Sequence, residues 1–173
     1  AAGVAQQLQS AARLLHAGDL GHARALLYGL LPATPGLPEA YWLLAGVLMR
    51  SGDFARAERA VVTAIHLAPA NPSAHALLGE ILACQNRMIE AESAARRALQ
   101  LAPVHPQATA TLGRILQSQG RHQDTVRLLE QQRALGLASG ELRLLHANSL
   151  VALRRFSEAL IDYRHAASAE PGN

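Results

Sequence analysis

The sequence predicts an all-α protein, a solenoid of five helix–turn–helix units stacked in line. Three observations predict it. Side-chain character repeats every 34 residues without a gap from Val4 to Asn173, and a period of that length marks a stacked array of small hairpins. Half the residues are hydrophobic, yet only 3% are aromatic and Ala and Leu carry most of the apolar load; that mixture suits closely packed helices better than a β interior. Proline and glycine return at the same interval, where helices start and stop.

Aligning Gly18-Asp19-Leu20 with Gly52-Asp53-Phe54 sets the offset, and Asn86-Arg87-Met88, Gly120-Arg121-His122 and Arg154-Arg155-Phe156 continue it. The units are then 4–37, 38–71, 72–105, 106–139 and 140–173, expected to form one domain over residues 1–173. The eleventh position of each unit is leucine: Leu14, Leu48, Leu82, Leu116 and Leu150. The eighth is small (Ala11, Ala45, Gly79, Gly113, Ala147), and so is the twentieth (Ala23, Ala57, Ala91, Thr125, Ala159). Small residues at facing positions let two helices approach closely, while the leucine fills the space beside them. Each unit has room for two helices of about a dozen residues, ~20 Å long at ~1.5 Å per residue.

Taken in order, the units differ in instructive ways. In the first, Gln7 and Ser10 are polar at positions expected to be mostly buried elsewhere, as suits an end cap exposed to water, and Pro32 arrives early enough to shorten the second helix. Gly18 ends its first helix in a left-handed residue and Asp19 caps its second. The second unit opens on Leu37-Pro38 and turns at Gly52-Asp53; the third opens on Asn71-Pro72, a capping side chain before a proline at the first helical position. The fourth opens on His105-Pro106 and turns at Gly120, with Gln132 and Leu137 where the pattern wants a small residue and proline. The fifth has His146 in place of an apolar residue and Arg154 in place of glycine. Pro35, Pro69, Pro103 and Pro171 close units.

These features resemble the tetratricopeptide repeat family, and the resemblance runs along essentially the whole chain. The gapless 34 disfavours Sel1-type and pentatricopeptide repeats, which use other lengths. The resemblance implies a right-handed superhelix, an α-solenoid whose first helices line a concave groove that binds peptides or other proteins. It also implies that the second, fifth, ninth, twelfth and thirteenth positions of each first helix face the ligand. Here these include Leu8, Ala12, Leu15 and His16, then Glu39, Trp42, Gly46, Met49 and Arg50. Glu80 and Cys84 follow, then Arg114 and Gln117, then Leu144 and Asn148. The early part is apolar and the later part polar. Trp42, the only tryptophan, reads either as a binding hot spot or as core beside Tyr41.

Two specialisations of the family do not fit. A carboxylate clamp needs lysine and asparagine, and the sequence contains no lysine; an asparagine ladder at the sixth position is replaced by Gln9, Leu43, Leu77, Thr111 and Leu145.

Little else points to chemistry. The formal charge is +3 and acidic residues accompany the arginines in every unit, which speaks against a nucleic-acid binder. The use of arginine alone reads as the codon bias of a GC-rich bacterial genome. The histidines (His16, His22, His66, His75, His105, His122, His146, His165) include no i, i+4 pair with a supporting carboxylate. They read as scattered surface residues, and no metal or cofactor is expected. Cys84 reads as a partly buried small hydrophobe, and the arginines of the second helices (Arg96, Arg97 and Arg133 among them) as a solvated outer face. No phosphate loop or catalytic group stands out, so these residues are not expected to form an enzyme.

The expected role is a protein–protein interaction scaffold holding a peptide or protein segment along Leu8, Ala12, Leu15, Trp42, Met49, Arg50, Glu80, Cys84, Arg114 and Asn148. That segment would be apolar near the first three units; an acidic group near Arg50 or Arg114 is opposed by Glu39 and Glu80. The alternative is a non-catalytic arm of a larger bacterial enzyme, of glycosyltransferase, hydroxylase or sulfotransferase type. The absent initiator Met and the lack of a polar cap after Glu170-Pro171-Gly172-Asn173 lead us to expect an excerpt of a longer protein. Its uncapped end leaves a homodimer open. No run is long and apolar enough to insert in a membrane, so a soluble protein on the cytoplasmic or periplasmic side of a bacterial cell is expected.

Overall fold

The computed structural model describes residues 2–169. Pro171 therefore lies outside the described residues. Ten α-helices follow one another: α1 (Ala2–Ala17), α2 (Leu20–Leu30), α3 (Pro38–Arg50), α4 (Phe54–Leu67), α5 (Pro72–Cys84), α6 (Met88–Leu101), α7 (Pro106–Ser118), α8 (His122–Ala134), α9 (Gly140–Ala152) and α10 (Phe156–Ala169). No strand occurs among the described residues. A short 3-10 turn, Leu31–Ala33, follows α2, so Pro32 does end that helix early.

Local chemistry explains the boundaries. Asp19 and Asp53 accept hydrogen bonds from the backbone N–H groups of His22 and Arg56 and so cap α2 and α4. Asn71 caps α5 by accepting from Ser73 and Ala74, and Ser139 caps α9 by accepting from Leu142. Each first helix from α1 to α7 ends at a left-handed residue, with φ of 82°, 79° and 72° at Gly18, Gly52 and Gly120 and 62° at Asn86. Arg154 takes the same conformation after α9 at φ 60°, against the preference of a side chain with a Cβ.

The recurring leucines Leu48, Leu82, Leu116 and Leu150 are buried, and Leu14 packs half-buried against the core of the first units. Ala11, Ala45, Ala147, Ala23, Ala57, Ala91, Thr125 and Ala159 are buried as well. The two helices of each unit pack together, each second helix also packs on the next first helix, and neighbouring first helices touch one another. Second helices make no comparable contact with each other. A stack that closes up on one side only curves toward that side, which places the first helices on its inner face.

Two expectations fail in the second half. His146 is not a surface histidine: it is buried against Asp162, its Nδ1 hydrogen-bonded to the carboxylate. Arg133 does not belong to a purely solvated face, because it donates to the buried Asp162 at 3.0 Å. Gln132 also turns inward and donates to the Pro103 carbonyl at 3.0 Å. The partner comes from the loop between α6 and α7, and the Gln132 Oε1 is buried without one.

Candidate interaction groove

The inner face begins as an apolar floor. Leu8, Ala12 and Leu15 from α1 and Trp42 and Met49 from α3 all pack, partly buried, against one core cluster that includes Ala11, Leu44 and Leu48. Spacings of three and four residues put them on one side of each helix. Gly46 stands between them because a side chain there would meet Leu15: an added Cβ would lie 3.3 Å from the Leu15 methyl. The Trp42 indole Nε1 is covered and has no hydrogen-bond partner, while the residue as a whole remains partly accessible. Trp42 therefore belongs to both descriptions, anchored in core and open on one side.

Arg50 sits at the end of α3 and is committed to the neighbouring unit. Its Nη1 donates to the Leu15 carbonyl in the last turn of α1, which also accepts from the Gly18 N–H at 3.2 Å, at the helix end that favours a cation.

Farther along, Glu80, Cys84 and Arg114 are brought together around an open depression of about 390 Å³, with Ala83, Met88 and Ile115 as its apolar side. Arg114 donates to Glu141 at 2.5 Å and lies 3.8 Å from Glu80. Gln107 donates to the other Glu80 oxygen at 2.9 Å. Arg114 is thus paired with carboxylates, whereas Arg50 gives one N–H to a neutral carbonyl and stays exposed and charged. Cys84 is exposed rather than partly buried. Nearby protein and the Glu80 carboxylate still push its thiol pKa up, the opposite of what a nucleophile requires.

Asn148 stands apart from this cluster. It is exposed on α9 and accepts a hydrogen bond from the Tyr163 hydroxyl at 2.6 Å. Gln117 closes the inner face between α7 and α9 by donating to the Leu145 carbonyl and the Ser149 hydroxyl at 2.7 and 2.8 Å.

Sequence reasoning missed a set of ties between units. Arg87, Arg121 and Arg155 recur at one position and pair with Glu90, Asp124 and Glu158 three residues later. Two of them also cross to the preceding unit, Arg87 to Glu58 at 2.7 Å and Arg121 to Glu92 at 2.9 Å. The 34-residue recurrence of these arginines was the available signal. Arg155 has no such cross-unit carboxylate because Val126 occupies the place of Glu58 and Glu92.

Among the described residues, no group of three or more His, Cys, Asp or Glu side chains is placed to hold a metal ion. No described helix is long and apolar enough to cross a membrane.

Residues 43–106 match the family described as Tetratricopeptide repeat. No curated protein matches the sequence. Among solved structures, a thermophilic TPR protein of Thermus thermophilus is similar at a TM-score of 0.85 and 22% identity, over 98% of this chain and 93% of that one. The pilF protein of Pseudomonas aeruginosa is similar at 0.86 and 21%, over 95% and 75%. MamA is similar at 0.74 and 19%, over 97% and 92%. At these identities the likeness is one of fold.

Proposed function

Because this chain is built of tetratricopeptide repeats, we propose that it is an interaction scaffold whose inner face holds an extended or helical segment of a partner protein. The observation that carries the proposal is the apolar floor of Leu8, Leu15, Trp42 and Met49, partly buried and left uncovered by the chain's own helices. Aromatic and Met side chains with one open side are favoured at the centres of interfaces. The segment is apolar over the first three units, where it meets Leu8, Leu15, Trp42 and Met49. Cys84, Glu80 and Arg114 contact its following residues, and Asn148 marks the far end.

Selection from a displayed peptide library on the immobilised chain tests this. The expected winners are rich in apolar residues, and Trp42→Ala weakens them by about tenfold or more while helical content stays unchanged. Winners that bind Trp42→Ala and the parent equally would place the site elsewhere.

A further inference from the structure

Over the second unit, opposite charges stand on either side of the apolar floor. α3 carries Glu39 in its first turn and Arg50 in its last, both on the side of the helix that holds Trp42 and Met49. Glu39 is exposed, and its carboxylate has no ion-pair or hydrogen-bond partner among the described residues. Arg50 is exposed as well; it gives one N–H to the neutral Leu15 carbonyl and keeps other N–H groups free. The two charges are eleven residues apart on one helix, about 16 Å. That is roughly twice the Debye length at physiological salt, so each acts on its own group of a ligand.

The other first helices lack this opposition. At the same two positions α5 has Ser73 and Cys84, α7 has Gln107 and Ser118, α1 has Ala5 and His16, and α9 has Glu141 and Ala152. Arg114 is the other arginine of the inner face, and it lies between Glu141 at 2.5 Å and Glu80 at 3.8 Å. Two carboxylates on one cation leave a surplus negative charge, which repels an acidic group. Arg50 has no such carboxylate. Glu39 and Arg50 also suit the dipole of α3, but that preference is the same all round the helix and does not select its inner side.

We infer that the groove orients its ligand by charge: a segment crossing the second unit turns an acidic group to Arg50 and a basic group to Glu39. Apolar residues between them settle on Leu15, Trp42 and Met49. This rests on the groove reading and narrows it to one class of partner, an apolar segment with an acid on one side and a base on the other. Turning such a segment end for end exchanges its sides and sets like charges together at both rims, so the pair selects chain direction. Both charges are exposed, and they set orientation more than affinity.

Peptides selected from a displayed library on the immobilised chain, synthesised and measured by calorimetry at low and high salt, test it. Arg50→Glu is expected to weaken a selected peptide about tenfold at low salt, and exchanging the peptide's acidic residue for lysine to restore most of the loss. Glu39→Arg is expected to act in the same way on the peptide's basic residue. Both losses shrink as salt is raised, whereas the loss from Trp42→Ala does not. Peptides weakened by Trp42→Ala but indifferent to both charge reversals would overturn the inference and leave the groove reading standing. Peptides indifferent to all three variants would remove both. Arg50→Gln, which adds no like charge, is expected to lose a smaller part and keeps the test decisive if Arg50→Glu fails to fold by circular dichroism.

Discussion

His146 and Asp162 form a buried pair between α9 and α10, with the histidine Nδ1 hydrogen-bonded to the carboxylate and both side chains almost fully enclosed. Arg133 from α8 lies 3.0 Å from the same carboxylate and Arg143 lies 3.6 Å away. One acidic group thus fastens the fifth unit to the fourth, where the arginine tie of earlier junctions is missing. Removing only the acceptor strands the buried His146 ring, while Arg133 and Arg143 are partly exposed and can turn to water. Asp162→Ala is expected to destabilise the chain by about 1–3 kcal/mol in urea unfolding, and replacing both His146 and Asp162 by leucine is expected to cost less. A loss below about 1 kcal/mol for Asp162→Ala would mean that the pair holds nothing together.

The ties at the earlier junctions are more exposed and depend on salt. Glu58→Gln and Arg87→Met, combined in a double-mutant cycle, are expected to show a small favourable coupling that shrinks as salt is raised. Coupling that salt does not change would assign the contact to packing rather than charge.

His105 is a pH-sensitive cap. Its Nδ1 accepts from the Ala108 N–H at 3.2 Å, so the neutral ring carries its hydrogen on Nε2, which lies 3.2 Å from the Ser73 hydroxyl and donates to it. Burial, the larger effect, pushes its pKa below 6.5. The unfolded chain therefore takes up this proton first as pH falls. The contribution of His105 to stability is full above about 6.5 and declines as pH drops through the lowered folded value. His105→Asn keeps a capping side chain that does not titrate. It is expected to be less sensitive than the parent to acidification from neutral pH in thermal unfolding, and parallel pH profiles would contradict the assignment.

Two glycines at the same repeat position should respond in opposite ways. A Cβ on Gly79 would come within 3.1 Å of the Ala91 carbonyl oxygen and 3.2 Å of the Ala95 nitrogen, both backbone atoms that cannot move aside cheaply. On Gly113 the nearest atom is a Leu145 methyl at 3.6 Å. Gly79→Ala is expected to destabilise by about 1–3 kcal/mol, whereas Gly113→Ala is expected to stabilise by up to about 1 kcal/mol through helix propensity. Thermal unfolding of the two variants side by side checks the contrast.

Much of this architecture is legible in the sequence because it rests on local rules repeated five times. The leucine of the eleventh position, the caps Asp19, Asp53 and Asn71 and the early stop at Pro32 each follow from one residue type in one place. The misreadings fall where a residue's role depends on another helix. His146 reads as a surface histidine because Asp162 lies 16 residues away, and Arg133 reads as solvated because its acceptor lies 29 residues away. Cys84 is more open than its repeat position suggests. Which positions line the inner face is what the family resemblance implies, helix spacing adding only that they share one side, and the bond from Arg50 to the Leu15 carbonyl is not legible, since a backbone acceptor leaves no mark in sequence.

Trp42 supplies the most direct measurement, because a single tryptophan gives a single indole N–H signal in a nitrogen-15 correlation spectrum. Titrating a selected apolar peptide should shift that signal saturably, along with amides around Leu8, Leu15 and Met49, at the midpoint found by calorimetry. Saturable binding that leaves the indole signal in place and moves amides of α4, α6 and α8 instead would put the partner on the outer helices and contradict the account.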